Sequence, residues 1–96
     1  MFLITLTYRV PLTAVDAALP AHIDYLQQQY AAGVFLASGR RTPRTGGVIL
    51  ATAADRQTLN ATLAADPFYQ QGIADYDVIE FTPTMTAPGL EKLKEY

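Results

Sequence analysis

The sequence contains one histidine, His22, and this residue is the best candidate for acid–base chemistry. An imidazole is the only side chain whose ordinary pKa, about 6.5, allows it to take and return a proton near neutral pH. His22 lies three residues after Leu19 and four before Leu26, so on a helix it would project from the apolar stripe and be half-buried. Two interpretations follow: a general acid–base residue, or a core imidazole bonded to a backbone carbonyl.

Asp66 is the second candidate, and it directly precedes Pro67. This pair is a common way to open a helical turn, with the aspartate as N-cap and the proline at the first helical position. The same carboxylate could also hold the second ring nitrogen of His22, fix its tautomer and raise its basicity, as the third member of a catalytic triad does. The two roles are compatible, and we predict a catalytic pair of His22 and Asp66.

A third cluster, Ser38-Gly39-Arg40, is followed by two more arginines, Arg41 and Arg44. Glycine permits a close approach of the backbone, and a guanidinium can bind a carboxylate or phenolate through two hydrogen bonds. A small, anionic ligand is therefore predicted to contact Ser38, Gly39 and Arg40. The alternative is a solvated loop between two strands, which is the favoured interpretation of Arg41 and Arg44.

Other site chemistries are less well supported. With one histidine and no cysteine, a metal would depend on carboxylates, and Asp16 and Asp24 lie on other parts of the predicted first helix. We predict neither a metal nor a cofactor. Ser38, His22 and Asp66 supply the residue types of a hydrolase triad, but no nucleophile-elbow pattern surrounds the serine, so hydrolysis stays a minor alternative.

The first half of the chain predicts a strand, a helix and two more strands. Apolar residues alternate over 2–8, which is the period of a strand. After Pro11 a helical stripe ends at Gly33, and Pro20 inside it predicts either a late start or a bend. Short apolar runs at 34–38 and 47–52 predict the next two strands. The stripe of the helix consists of Val15, Leu19, Ile23, Leu26 and Tyr30.

The second half predicts a helix, a short turn and a last strand. Thr52 and Asp55 resemble a capping box that opens a helix ending near Ala65. The segment Asp66-Pro67-Phe68 predicts one further turn, and residues 76–81 alternate as a strand that Pro83 closes. The remaining tail predicts a loop with one helical turn.

The resulting order, β-α-β-β-α-β, predicts an α+β fold of the ferredoxin-like type, with both helices on one face of a four-stranded antiparallel sheet. The predicted strands carry apolar side chains on both faces, since Phe35 opposes Val34 and Leu36, and Val78 opposes Ile79. Two helices cover only one face. We therefore predict a two-fold homodimer that packs through the open sheet faces.

Length and composition limit the classes of protein further. A chain of 96 residues, half of them apolar, is one domain with a core, not a disordered segment. Seven basic and nine acidic side chains give a formal charge of -2, which favours neither nucleic acid nor an anionic membrane as a partner. No apolar stretch reaches a membrane span, the opening residues lack the pattern of a signal peptide, and we expect a cytoplasmic location.

Several of these segments together resemble the YciI-like family over about residues 2–83. The resemblance rests on His22 and on four segments in their order and spacing, which are Ser38-Gly39, Pro43 with Gly46-Gly47, Asp66-Pro67-Phe68 and Tyr76-Asp77-Val78-Ile79-Glu80-Phe81. It implies a dimeric α+β barrel of ferredoxin-like protomers with a His–Asp pair in the proposed active site. Members of this family are similar in fold to muconolactone isomerases, and a related dehydrochlorinase acts on a chlorinated hydroxyquinol. It often has proline after Ser-Gly, where this chain has Arg40.

The sequence thus predicts a YciI-like domain at 1–83 and a tail at 84–96. The first functional hypothesis is a small cofactor-independent enzyme, lyase-like or isomerase-like, in which His22 and Asp66 act on a small cyclic or hydroxylated substrate bound by Ser38, Gly39, Arg40 and Phe68. The second is a dimeric ligand-binding or accessory module without chemistry. The third, a scaffold protein, predicts no pocket.

Overall fold

The computed structural model describes all residues from 1 to 96. Seven regular elements precede a short 3-10 helix in the tail. They are β1 (Phe2–Tyr8), α1 (Leu12–Ala31), β2 (Phe35–Arg40), β3 (Gly46–Ala51), α2 (Arg56–Ala64), α3 (Pro67–Gln70) and β4 (Ala74–Glu80), and the 3-10 helix is Glu91–Glu95. The predicted order of the main elements is confirmed, with α3 as the predicted extra turn.

The four strands form one antiparallel sheet in the order β2-β3-β1-β4. This is the ferredoxin-like α+β arrangement that the sequence predicts. Strand β1 is central, and Ile4 pairs with Ile49 on one side and Val78 on the other. Paired residues share a face, so the buried side chains of β1, which are Phe2, Ile4 and Leu6, define the face that the helices cover.

Helix α1 begins directly after Pro11 and continues through Pro20. Of the two predicted alternatives, the late start is therefore wrong, and the bend at Pro20 stays a prediction. A proline inside a helix removes one backbone hydrogen bond and costs about 3 kcal/mol. Buried residues lie on both sides of it, Val15 and Ala18 before and His22 and Tyr25 after, so packing against the sheet holds the two halves as one helix.

The buried face of α1 differs from the predicted stripe. Its buried residues are Val15, Ala18, His22 and Tyr25, whereas Ile23 is 42% exposed and Tyr30 39% exposed. The true core face is thus rotated by about one residue, and it contains His22 itself. This histidine is 7% exposed, which is more deeply buried than the sequence predicts.

The structure corrects two of the predicted element boundaries, the start of α2 and the end of β2. Asp55, not Thr52, caps α2, because its carboxylate accepts the Thr58 N–H at 2.7 Å while the Thr52 N–H donates to the Val34 carbonyl. The hydrogen bond from Thr58 also lowers the pKa of Asp55. Strand β2 extends through Arg40, so Gly39 and Arg40 belong to a strand and not to the predicted loop, and Ser38 lies within the strand predicted at 34–38.

The sheet face that the helices leave open carries apolar side chains. Leu3 pairs with Leu50 on one side and with Ile79 on the other, which places the three side chains in a row. Ile79 is 57% exposed and Phe81 is 42% exposed. No helix of the chain is both long and apolar enough to cross a bilayer.

Candidate functional site

His22 and Asp66 form a direct pair between α1 and the start of α3. His22 Nδ1 lies 2.7 Å from Asp66 Oδ1, although 44 residues separate them in sequence. The Asp66 side chain is fully buried, and 9% of the His22 side chain is exposed. The contact that the sequence predicts is therefore present, while its catalytic role remains a prediction.

The local sequence explains where the Asp66 carboxylate lies. Asp66 is the N-cap of α3, Pro67 occupies the first turn, and Asp66 Oδ1 accepts the Phe68 N–H at 2.9 Å. The same oxygen faces His22 Nδ1. One aspartate thus serves as helix cap and as histidine partner, which are the two compatible roles that the sequence suggests.

The second carboxylate oxygen is also occupied. The Tyr76 hydroxyl donates to Asp66 Oδ2 at 2.5 Å. An ionised carboxylate is an acceptor only, so the shared oxygen Oδ1 receives a hydrogen from His22 Nδ1 as well as from the Phe68 amide. In the neutral imidazole this arrangement places the proton on Nδ1 and leaves Nε2 as an acceptor.

Phe68 holds the imidazole ring from one side. The Phe68 and His22 rings are parallel within 2°, and their centroids are 3.8 Å apart. Phe68 is 2% exposed, so most of its ring is buried behind the histidine. The sequence predicts a substrate-binding role for Phe68; the structure places this ring at the cavity wall and in contact with the imidazole.

His22 Nε2 is open to a cavity. This nitrogen has no hydrogen-bond partner within the chain, and no buried side-chain nitrogen or oxygen lacks a partner, so Nε2 must be accessible. His22 lines a half-open cavity of about 230 Å³. The lone pair of the imidazole therefore faces the space where a ligand would lie.

The cavity lies between α1 and the sheet. One wall is the part of α1 that the sequence assigns to the core stripe, Leu19, Ile23 and Leu26, so these residues line a ligand-sized space instead. The other wall is β2, whose residues Ser38 and Arg40 pair with Ile49 and Gly47 on the helix-covered face. The remaining lining residues are Leu6, Tyr8, Gly39, Gly46, Val48 and Phe68.

Arg40 differs from its two neighbours in the basic run. The Arg41 guanidinium donates to the Thr7 hydroxyl at 3.2 Å, and Arg44 pairs with Asp16 at 2.5 Å, a hydrogen bond that raises the Arg44 pKa. Arg40 lines the cavity and makes no side-chain hydrogen bond or ion pair within the chain. Of the three arginines, Arg40 is the one whose guanidinium remains available to a ligand.

Ser38 and Gly39 also reach the cavity, but in different ways. The Ser38 hydroxyl hydrogen-bonds to the Tyr30 hydroxyl and not to His22, so the serine–histidine bond of a hydrolase triad is not formed. Gly39 contributes backbone, and a Cβ at this position would meet no atom within 4 Å. No three histidine, aspartate or glutamate side chains converge as metal ligands would.

Two residues of the site, Tyr76 and Tyr30, were not predicted from the sequence. Six tyrosines occur in the chain, and any of them suits a core edge or an interface. The sequence therefore does not distinguish the two that hydrogen-bond to Asp66 and Ser38. Tyr76 is separated from Asp66 by ten residues. The alternation of β4 could have placed Tyr76 on the helix-covered face, but no sequence pattern names its partner.

The comparison with protein families decides the classification. The model of the YCII-related domain matches residues 1–82. The chain belongs to the YCII-related family. A comparison with curated protein sequences found no significant match.

Solved structures agree with this assignment at the level of the fold. The YCII-related chain is similar to 5-chloro-2-hydroxyhydroquinone dehydrochlorinase from Burkholderia phenoliruptrix AC1100, in complex with 2,5-dihydroxybenzoquinone, with a TM-score of 0.70 and 18% identity over 84% of this chain and 93% of that chain. It is also similar to a mutant of SnoaB, a cofactor-independent oxygenase from Streptomyces nogalater, with a TM-score of 0.50 and 16% identity over 91% and 94% of the two chains. At these identities the likeness shows a shared fold.

Proposed function

We propose that this protein is a small cofactor-independent enzyme, lyase-like or isomerase-like, that uses His22 to move a proton on a small cyclic or hydroxylated substrate. The observation that carries the proposal is the arrangement of His22, with Nδ1 bound to buried Asp66 and Nε2 open to the cavity. The two similar structures support it, since one is a dehydrochlorinase of a chlorinated hydroxyhydroquinone and the other is a cofactor-independent oxygenase.

The size of the cavity limits the substrate. Sites for drug-sized ligands enclose about 300 to 1,000 Å³, and this cavity has about 230 Å³. A single ring with a few polar substituents fits a space of this order. The walls from Leu19, Ile23 and Leu26 suit the faces and edges of a ring, and the polar groups at Ser38 and Arg40 suit its oxygens.

The proposed step begins with His22 as a base. Nε2 takes a proton from a C–H or O–H bond of the substrate, and the electron pair of that bond stays on the substrate as an enolate or phenolate. Asp66 stabilises the imidazolium that forms. The guanidinium of Arg40, the Ser38 hydroxyl and the Gly39 backbone bind the negatively charged oxygen. In an isomerisation, His22 then returns the proton to another atom of the substrate. In an elimination, the electron pair expels the leaving group with its bonding electrons, and the imidazolium releases the proton to that group or to solvent.

The test uses the two compounds that are named for the similar dehydrochlorinase, its bound quinone and its chlorinated substrate. 2,5-Dihydroxybenzoquinone should perturb the ring NMR signals of the sole histidine, and 5-chloro-2-hydroxyhydroquinone should be tested as a substrate by release of chloride. We expect His22→Gln and Asp66→Asn to abolish or strongly reduce any turnover, whereas Asp75→Asn, an exposed surface carboxylate, should not.

Two results would separate the alternatives. Binding of the quinone without turnover of any hydroxylated ring compound would favour the non-catalytic ligand-binding module. No binding of such compounds, together with an unchanged ring signal for His22, would contradict both.

We also propose a homodimer in which the open sheet faces pack together. The row formed by Leu3, Leu50 and Ile79 supports it, as does the exposure of Phe81, which directly follows β4. An apolar sheet face of this kind is normally covered by another element or another chain. A second copy presents the same row and is therefore complementary to it.

A further inference from the structure

A tyrosine, Tyr76, hydrogen-bonds to the carboxylate of the His22–Asp66 pair. Tyr76 lies on β4 opposite Leu6, on the sheet face that the helices cover. Its hydroxyl donates to Asp66 Oδ2 at 2.5 Å. Tyr76 thus reaches the carboxylate from the sheet, while His22 reaches it from α1.

The donors around Asp66 divide between its two oxygens. Oδ1 faces His22 Nδ1 and the Phe68 amide, and Oδ2 faces only Tyr76. A carboxylate turns about its terminal torsion with little intrinsic preference, so a donor on one oxygen alone would leave its angle loosely defined. With donors on both oxygens, rotation breaks at least one hydrogen bond in a fully buried site.

We propose that Tyr76 is a positioning residue, which orients Asp66 so that His22 keeps its proton on Nδ1 and directs Nε2 to the cavity. This inference rests on the proposed function, because orientation of Nε2 matters for a proton-transfer role. Tyr76 itself is not a catalytic residue, since it does not line the cavity that His22 faces.

The chemistry of Tyr76 is suited to this role. Burial raises the pKa of its hydroxyl, and the hydrogen bond to Asp66 raises it further. The hydroxyl therefore remains a neutral donor when the imidazole gains or loses a proton. A neutral donor holds the carboxylate without neutralising the negative charge that stabilises an imidazolium.

Tyr25 offers a matched control. It is also buried, and the centroid of its ring lies 6.4 Å from the centroid of the His22 ring. However, its hydroxyl donates to the Thr62 carbonyl at 2.7 Å and not to Asp66. The variants Tyr76→Phe and Tyr25→Phe each remove one buried hydroxyl, and only the first leaves an oxygen of Asp66 without a donor.

The experiment measures the tautomer of His22 by ¹⁵N NMR, in which a single histidine gives one unambiguous pair of ring nitrogens. In the ligand-free wild type we expect the Nδ1–H tautomer. Tyr76→Phe should convert this pattern into a mixture of tautomers and broaden or lose the Nδ1–H proton signal. Tyr25→Phe should keep the wild-type pattern. A wild-type pattern in Tyr76→Phe, or equal changes in both variants, would overturn the inference.

A second measurement needs no substituted tyrosine and covers the case in which Tyr76→Phe does not fold. In the wild type, the Tyr76 hydroxyl proton should exchange slowly and give an observable downfield signal with contacts to Asp66 and β4. Absence of that signal under conditions where the Tyr25 hydroxyl proton is seen would overturn the inference. Because neither measurement uses a ligand, failure of all the hydroxylated ring compounds to bind would contradict the proposed function and leave this result standing.

Discussion

The rings of His22 and Phe68 are stacked with their centroids 3.8 Å apart and their planes parallel within 2°. The Phe68 amide also donates to the Asp66 oxygen that faces the histidine. One residue therefore holds the imidazole by its ring and the carboxylate by its backbone. This relationship links the start of α3 to the buried face of α1.

The stack predicts the behaviour of Phe68→Leu. The substitution keeps the backbone hydrogen bond to Asp66 and removes the ring, so the histidine pair should persist with a less restricted imidazole. We expect a loss of about 0.5 to 1.5 kcal/mol from the aromatic pair in addition to a packing loss, measured by urea unfolding. The ring carbon-bound protons of His22 should move downfield as the neighbouring ring current disappears. Unchanged proton shifts would show that the rings are not stacked in solution.

The free guanidinium of Arg40 predicts weaker ligand binding in Arg40→Gln. A hydrogen bond to a charged group contributes about 1.5 to 3 kcal/mol, so we expect an affinity for 2,5-dihydroxybenzoquinone that is lower by roughly tenfold or more. The measurement is isothermal titration calorimetry. Arg41→Gln is the control, because Arg41 is adjacent in sequence but contacts Thr7 outside the cavity. Equal losses in the two variants would indicate a general charge effect.

Gly46 predicts a large difference between two glycine substitutions. A Cβ at Gly46 would lie 1.7 Å from the Leu6 carbonyl oxygen, whereas a Cβ at Gly39 would meet nothing within 4 Å. Gly46→Ala must displace β1 or β3 and should lower the free energy of unfolding by about 3 kcal/mol or more. Gly39→Ala should change it by less than about 1 kcal/mol. Chemical denaturation of both variants gives the comparison, which fails if Gly46→Ala is as stable as wild type.

The raised pKa of Tyr76 predicts a loss of stability in alkali. The folded state keeps the proton to a higher pH than the unfolded state, whose tyrosine has an ordinary pKa of about 10. Its contribution is therefore complete below about pH 10 and decreases as the pH rises toward the folded-state pKa, by at most about 1.4 kcal/mol per pH unit. Tyr76→Phe should show a shallower decrease than wild type above pH 10. Parallel curves for the two proteins would contradict this assignment.

The open sheet face predicts that Ile79→Glu disrupts the proposed homodimer. The substitution places a charge at the β4 end of the row that includes Leu3 and Leu50, where burial of an unpaired carboxylate is unfavourable. Sedimentation velocity should show a dimer for wild type and a monomer for Ile79→Glu. Leu12→Glu is the control, since Leu12 is 43% exposed at the start of α1 on the other layer. A monomeric wild-type protein would contradict the proposal directly.

Much of this architecture was determined by the sequence alone. Three features could be predicted because they depend on local backbone geometry, which leaves a pattern in the sequence. They are the alternation in β1 and β4, the helical stripe of α1 and the Asp-Pro pair before Phe68. The order of the elements along the chain then leaves few possible topologies, because connections are short and sheet faces must be covered. The candidates His22 and Asp66 could be named for the same reason, since one is the sole histidine and the other has a recognisable cap position.

Only the tertiary structure decided what these residues contact. Periodicity gives the direction of a side chain to within about one residue, so it could not distinguish the core face of α1 at Ala18 and Tyr25 from the cavity wall at Leu19 and Ile23. Nor could it show that Arg40 lies on a strand or that Tyr76 bonds Asp66. These contacts join elements distant in the chain, and they depend on strand register and packing, which are set by the whole core and not by any one segment.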